Sequence, residues 1–564
     1  MKTLIITVLA YLFFAAQLLS AELPTINSEA EDFLVFLQDQ PKEDQQYIKG
    51  FTSYAVPKEL RDSAALQLSF IIHSMVGISD TDESSSSYYP IALSNKDPLA
   101  QIQYFRKVPN SETLLWIDIR DYNWTNDSWE RITKFDGYVV EPIISHENNG
   151  LLRLLSGNAL VRTDWFIFHA ARTVEQTDKD NKVNPIYREL LYSKTKQPKT
   201  VPEFEAVWGL VNRDNSRKLG NEFGTLVTKS KNVARHNRML FGYRTEIGWY
   251  YRSYDVKLQQ GKRDYVERFY EFGGKPPDIY DGGEIFASNT VQLQVYDLYD
   301  GQEKLADFAD ATIVRHLTDV LGDARVVTPH GCFDCHAEGP IPSENTISEF
   351  LKSNGNVYYT SKANQLRVER TFLNKKFEES ISEHQELYKK ALLKVNGLEP
   401  AENIKDYYKI ISWYNKPVDL EQAAIECGVT PEEFKIRAAK GLQDRNGKIP
   451  GRLALLLAST ESIPRDIWEA PNTDKIPGIF QQTMIVLNGL TEIVTKIDTV
   501  EYIAYVNEKC IIYKGGNEKI RDVKLHEKIM TQDQTMTGFT SVTLEDGTKG
   551  WIESTKITKG KINE

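Results

Sequence analysis

Near the middle of this chain stand Cys332, Phe333, Asp334, Cys335 and His336, two thiols three positions apart with an imidazole directly after the second. Thiols at that spacing lie about one helical turn apart, so each can add to a vinyl group along one edge of a porphyrin. A histidine at the next position is placed to ligate the iron from the proximal face. The pattern therefore predicts one covalent haem c, attached through Cys332 and Cys335 with His336 as iron ligand. A disulfide or a thioredoxin-like redox pair is the plainer alternative for the same two cysteines. Zinc is a poorer one, because no second pair of cysteines lies at ligand spacing.

The opposite face of the iron decides between an electron carrier and an enzyme. After His336 the next methionine is Met484, in a different region, which disfavours the Met-ligated arrangement of small soluble cytochromes. Upstream candidates for the sixth ligand are His73, with Met75, on an apolar stretch, His169 after "VRTDWF", and His236 or Met239 in "ARHNRM". A hydrogen-bonded core histidine is the ordinary reading of each, and an open iron position is the remaining option. The second ring nitrogen of His336 needs an acceptor, and the carbonyls of the Gly339 to Pro342 loop are nearest in sequence. Arg162, Arg235 and Arg238 suit haem propionates, and Trp165, Trp249 and Tyr250 suit an apolar pocket wall. No catalytic residue is assigned.

Attachment of haem c takes place outside the cytoplasm, so an export signal is the independent expectation. Met1-Lys2 is a short basic start, Leu4 to Leu19 is nearly all apolar, and Leu19-Ser20-Ala21 ends in small residues before Glu22. This reads as a signal peptide over residues 1–21, with an uncleaved anchor as the alternative; the apolar run is short for a bilayer span. A net charge of -11 argues against nucleic acid and is compatible with a basic redox partner. Cys427 and Cys510 remain after the motif pair, and in an oxidising compartment they either bridge or lie buried as two small residues.

These residues must be positioned by an α+β, multidomain chain. Residues 22–257 read as a helix-rich N-terminal domain, with an apolar helix near Leu66 to Ile78, a strand at Thr113 to Ile119 and a helix around "VRTDWFIFHAAR". Residues 258–415 read as a strand segment and haem-binding region. Strand alternation begins at Trp249, Asp281-Gly282-Gly283 marks a turn, and a Glu/Lys-rich surface helix follows the motif. Residues 416–495 form a small helical region. Within it "PVDLEQAAIECGVTPEEF" has a helix-turn-helix look, although export and acidity make nucleic-acid binding improbable. Short alternating runs fill residues 497–560, "EYIAYV", "CIIYK", "TSVTL" and "KGWIEST".

The last of these runs resembles a bacterial Src-homology-3-like domain, whose final hairpin is an apolar strand, a Gly-containing turn and Gly-Trp-Ile. Here these are Val542 to Leu544, Asp546-Gly547 and Gly550-Trp551-Ile552. The resemblance implies a small β-barrel over 497–560. Its first strand departs from the family, with Cys510-Ile511-Ile512-Tyr513-Lys514 in place of the usual sequence, so cell-wall or protein contact is only an analogy.

Residues 58–470 are similar to large bacterial exported proteins with one haem c motif, a family without an assigned substrate. The likeness rests on "DIRDYNW", "VRTDWF", "YRELLY", "ARHNRM", "WYYRSYD", "DGGEIFAS" and "HGCFDCHAEG", in that order. Asn289-Thr290 departs from the family's Pro-Asn-Gly turn, and Gln176 to Val183 is an insertion. The resemblance implies a shared fold and haem attachment at Cys332, Cys335 and His336. From residues and resemblance together the expected function is electron transfer in the cell envelope, to a periplasmic redox partner, with no membrane-integral part after cleavage. The alternative is a haem-dependent redox enzyme acting on peroxide or a small nitrogenous substrate at an open iron.

Overall fold

The computed structural model describes residues 26–78, 106–134, 160–171, 186–210, 221–227, 238–256, 280–310, 313–315, 325–342, 361–396, 409–444 and 462–469. It also describes strands between 502 and 559 and a few single positions; 246 and 374 are exceptions within these ranges. The expected signal segment 1–21, His236, Arg235 and the segment Gln176 to Val183 lie outside the described residues. The chain is mixed α+β, in two compact units, Met1–Met484 and Ile485–Glu564. Among the described residues no helix is long and apolar enough to cross a membrane.

The first unit contains two sheets. Strands β1 (Ile48–Thr52), β2 (Arg106–Lys107), β3 (Leu114–Asp118) and β4 (Leu160–Arg162) pair in the order β2-β3-β1-β4, with β1 and β4 parallel. Helix α1 (Ile26–Gln38) packs Phe33, Leu34 and Leu37 against this sheet, and its Glu29 accepts hydrogen bonds from Thr52 and Thr113. Helix α2 (Arg61–Ser74) covers the apolar stretch expected near 66–78, and it is buried on nearly every side from Gln67 to Ser74. That is why its sequence carries no single apolar stripe. Helices α3 (Asn126–Lys134), α4 (Thr163–Ala170), α5 (Ile186–Leu191) and α6 (Val201–Val207) complete this part.

The second sheet is an antiparallel meander in the order β10-β9-β8-β7-β6-β5. Its strands are β5 (Glu222–Val227), β6 (Arg238–Arg244), β7 (Trp249–Tyr254), β8 (Gly282–Ser288), β9 (Gln294–Asp300) and β10 (Leu305–Ala306). A domain boundary at 257 would cut this sheet between β7 and β8, where Tyr251 pairs with Phe286, so 222–306 belongs to one body. The expected turn at Asp281-Gly282-Gly283 is instead the start of β8. Glycine is required there by close packing: a Cβ on Gly283 would meet the Ser253 carbonyl and the Tyr299 ring. The turn between β8 and β9 is held by Asn289, whose Oδ1 accepts from the Val291 and Leu293 amides and whose Nδ2 donates to the His73 carbonyl.

After the motif helix α7 (His330–Cys335) come α8 (Lys362–Thr371) and α9 (Lys376–Asn396). They bracket edge strand β5, Phe372 packing on Phe241 from one face and Phe377 on Phe223 from the other. Helices α10 (Leu420–Glu426) and α11 (Pro431–Asp444) are joined through Gly428, which takes a left-handed φ of 69°. This pair does not stand apart as a 416–495 domain. Glu426 accepts from Arg465 and Trp468, pairs with Arg162 at 3.1 Å, and takes the Tyr54 hydroxyl on its backbone carbonyl.

In the second unit β11 (Tyr502–Val506), β12 (Cys510–Lys514), β13 (Glu518–Val523), β14 (Lys528–Met536), β15 (Phe539–Leu544), β16 (Lys549–Glu553) and β17 (Ile557–Lys559) form one sheet. The order is β13-β12-β16-β15-β14-β11-β17. The four runs read as strands are β11, β12, β15 and β16, and β15 and β16 pair antiparallel with Thr543 opposite Lys549; Asp546-Gly547 lies outside the described residues. Among the described residues β13 and β17 are not paired to each other.

Candidate haem attachment site

Cys332 and Cys335 lie on α7, a six-residue helix anchored by Phe333. The Phe333 ring packs against Phe70 of α2, Tyr187 of α5 and Tyr296 of β9, at centroid distances of 5.2, 6.1 and 5.6 Å. This aromatic cage explains why the residue directly after the first thiol is large and apolar: it fixes the helix on the sheet. Both thiols are free. Cys332 is buried and Cys335 half-buried, so the disulfide alternative is not formed. Burial pushes the Cys332 thiol well above its ordinary pKa, keeping it protonated.

His336 follows the helix and is half-buried over the sheet, its ring 5.4 Å from Phe286 and 5.7 Å from Tyr296. Its Nδ1 donates to the Gly339 carbonyl over 3.3 Å, in the loop expected to supply the acceptor. That bond selects the Nδ1–H tautomer, and among the described residues Nε2 has no hydrogen-bond partner. Burial lowers the ring's pKa, so the neutral imidazole is favoured. Gly339 sits at φ 92°, and a Cβ there would lie 2.7 Å from the Tyr388 ring of α9, so both backbone conformation and space call for glycine. Tyr388 in turn donates to the Ala337 carbonyl at 3.3 Å, tying α9 to the motif loop.

A cavity of about 390 Å³ is lined by the carboxylates of Asp255, Asp281, Glu284, Asp300 and Asp310, by Arg325 and by Leu298, Phe308, Ile313 and Val314, among others; Cys332, Cys335 and His336 are not among its lining residues. Leu298, Ile313 and Val314 share an apolar cluster with Val326, against which Gly331 rests, so the cavity adjoins the start of α7. Its size falls within the roughly 300–1,000 Å³ of small-molecule sites. Glu284 and Arg238 are the charged groups felt by both Cys332 and His336. Two free thiols, a neutral imidazole with Nε2 unused and an aromatic and aliphatic surround are a donor set that fits a haem c.

The candidates for the sixth position are scattered. His73 uses Nδ1 on the Ser69 carbonyl at 2.7 Å and packs on Tyr122, one turn from the Phe70 that touches Phe333. His169 bonds Glu469 at 2.9 Å in the cluster of Arg162, Asp164, Glu426 and Arg465, which makes it part of an ion network. Met239 pairs with Tyr254, on the face of the sheet opposite Phe286 and Tyr296. His236 lies outside the described residues.

Two of the three expected propionate partners are already engaged, and Arg235 lies outside the described residues. Arg162 pairs with Asp164 and Glu426, and Arg238 makes two bonds to Asp255 at 2.8 and 2.7 Å and pairs with Glu284. Arg325 is the arginine that lines the cavity, its guanidinium 4.7 Å from the Phe308 ring centre. As pocket walls, Tyr250 belongs to the opposite face and Trp165 packs on His169; Phe286, Tyr296 and Phe333 surround the motif instead.

One buried residue near the motif was overlooked in the sequence. His384, fully buried on α9, stacks on Trp249 at 4.7 Å and on Tyr251 at 5.6 Å, and reaches Ser288 Oγ at 3.2 Å. Its pKa is pushed down to about 3 by burial, with Arg244 and His336 adding to the effect. The Glu/Lys content of "EESISEHQELYKK" gives the helix a surface look. The signal was the spacing of Phe377, Ile381, His384, Tyr388 and Leu392, which places His384 on the inward stripe. A scan of family models, a search of curated proteins and a search of solved structures each returned no match for this chain.

Proposed function

We propose that the chain is an exported c-type cytochrome that carries one haem on Cys332 and Cys335, with His336 Nε2 on the iron, and transfers single electrons in the cell envelope. The observation that carries this reading is the state of His336: Nδ1 bonded to Gly339, Nε2 unused, beside two free thiols. Bound haem supplies a reversible one-electron iron couple. The chain's own residues do the rest. Phe333 locks the attachment helix, Gly339 orients the imidazole, and Phe286 and Tyr296 exclude water from its ring. The expected redox partner is periplasmic, and the seven-stranded C-terminal unit, read as a Src-homology-3-like barrel, offers a contact to cell wall or protein.

A second reading draws on the cavity of about 390 Å³, whose apolar lining shares a cluster with Val326: a haem-dependent enzyme acting on a peroxide or small nitrogenous substrate at an open iron. Optical spectra of the purified protein separate the two. The carrier predicts a sharp reduced alpha band unmoved by carbon monoxide or cyanide. A high-spin spectrum that shifts with those ligands selects the enzyme, and a protein without haem staining on a denaturing gel overturns both.

A further inference from the structure

The motif histidine is the first ring of a continuous series that ends at the surface. His336 lies 5.4 Å from Phe286, and Phe286 stacks on Tyr251 at 4.7 Å with planes 19° apart. Tyr251 and His384 are 5.6 Å apart and nearly parallel at 4°, and His384 and Trp249 are 4.7 Å apart at 8°. The Arg244 guanidinium lies 4.1 Å from the Trp249 ring centre. Arg244 and its ion-pair partner Glu383 have side chains 48% and 60% exposed, so the series reaches solvent there.

The fold dictates this alignment. Phe286 and Tyr251 are direct cross-strand partners, as are Trp249 and Arg244. Trp249 and Tyr251 are two apart on one strand and share a face, leaving between them a gap one ring thick. Helix α9 inserts His384 into that gap, and Tyr388, one turn further on, holds the same helix on the motif loop. Around Phe333, by contrast, the ring pairs are edge-on. Here the planes of Phe286, Tyr251, His384 and Trp249 stay within 19° of their neighbours at each step.

We infer that Phe286, Tyr251, His384 and Trp249 form the path by which single electrons pass between the iron at His336 and an acceptor beside Arg244. The inference rests on the proposed haem site. The balance is one electron: iron goes from ferrous to ferric, a one-electron acceptor such as a metal complex is reduced, and no bond or proton moves.

The test places a ruthenium polypyridyl label on a cysteine introduced by Glu383→Cys in the full-length holoprotein, with flash photolysis reporting the rate of electron transfer to the haem. Trp249→Leu and His384→Leu are expected to slow that rate several-fold. Phe377→Leu, on the same sheet face but packed on Phe223 outside the series, should leave it unchanged. Because the interior variants risk misfolding, a second label at Lys390→Cys, exposed on the same helix, is compared in the otherwise unaltered protein. Transfer from position 383 should be the faster. In haem-free Cys332→Ser/Cys335→Ser protein, the His384 ring protons should show strong upfield ring-current shifts in proton NMR. Equal rates from both labels, or His384 protons at ordinary shifts, overturn the path while leaving haem attachment intact. Absence of covalent haem from the unaltered protein overturns both.

Discussion

On one face of the β5–β10 sheet Arg252 is fully buried, stacked 4.6 Å from Tyr254 and 4.6 Å from Tyr299, and its charge is met by Glu303 at 2.7 Å and Glu205 at 3.8 Å. Tyr250 donates to Glu205 at 2.7 Å, and Arg213 pairs with the same carboxylate at 3.1 Å. Burial holds the pKa of Tyr250 and Tyr299 well above normal, so the phenols stay neutral donors. On the other face Phe286 and Tyr296 carry His336, whose Nε2 has no hydrogen-bond partner among the described residues, and two thiols remain free. The two faces differ in whether their polar groups are spent on one another. A charge buried among its counter-charges is consumed by structure, whereas groups left unsatisfied beside a cavity are available to a ligand.

The comparison breaks most sharply at the thiols. Replacing both Cys332 and Cys335 with alanine should abolish covalent haem on a denaturing gel while circular dichroism stays that of a folded protein; retained covalent haem would overturn the attachment site. Across the sheet the effect should reverse. Arg252→Met leaves buried carboxylate uncompensated and should cost about 3 kcal/mol, the low end for a broken buried pair because Arg213 still faces Glu205. It should lower the denaturant midpoint without removing haem staining.

A smaller effect concerns His384. Its folded pKa of about 3 lies below the ordinary 6.5, so between those values the unfolded chain takes up a proton that the native chain refuses. Stability is therefore present above pH 6.5 and lost as pH falls, with a limiting slope of about 1.4 kcal/mol per pH unit. In His384→Asn that part of the slope should vanish, as read from denaturant midpoints between neutral and mildly acidic pH. The smallest change is expected from Glu383→Gln, which removes an exposed partner of Arg244 and should alter stability by less than about 1 kcal/mol. A larger loss would mean that this surface pair holds α9 in place.

Much of the local structure was legible. The strand at 113–119 and the runs of the C-terminal sheet appear close to where alternation put them, because each is specified by neighbours in sequence. Asp118 illustrates this, accepting from the Arg120 amide at 2.9 Å to start the short helical turn at Ile119–Tyr122. Domain boundaries were less legible. The segment 257–281 separates β7 from β8 in sequence, yet their side-by-side pairing makes one sheet of both halves, and no local pattern encodes that long-range register. Arginines suited to propionates could not be sorted, since Arg162 and Arg238 acquire their carboxylate partners only through folding.

By itself the sequence determined the grouping on which the proposed attachment rests, because the spacing of Cys332, Cys335 and His336 is contained within one helical turn and the residue after it. It also pointed to Gly339 to Pro342 as the loop that orients the imidazole, since that partner too is local. Tertiary structure alone decided what surrounds His336. Phe286 and Tyr296 come from a hairpin, Phe70 from a helix more than 250 positions earlier, and His384 from one nearly 50 positions later. Their meeting depends on how a sheet and its covering helices share apolar surface. That sharing is a property of the whole packed core, and no short stretch of chain contains it.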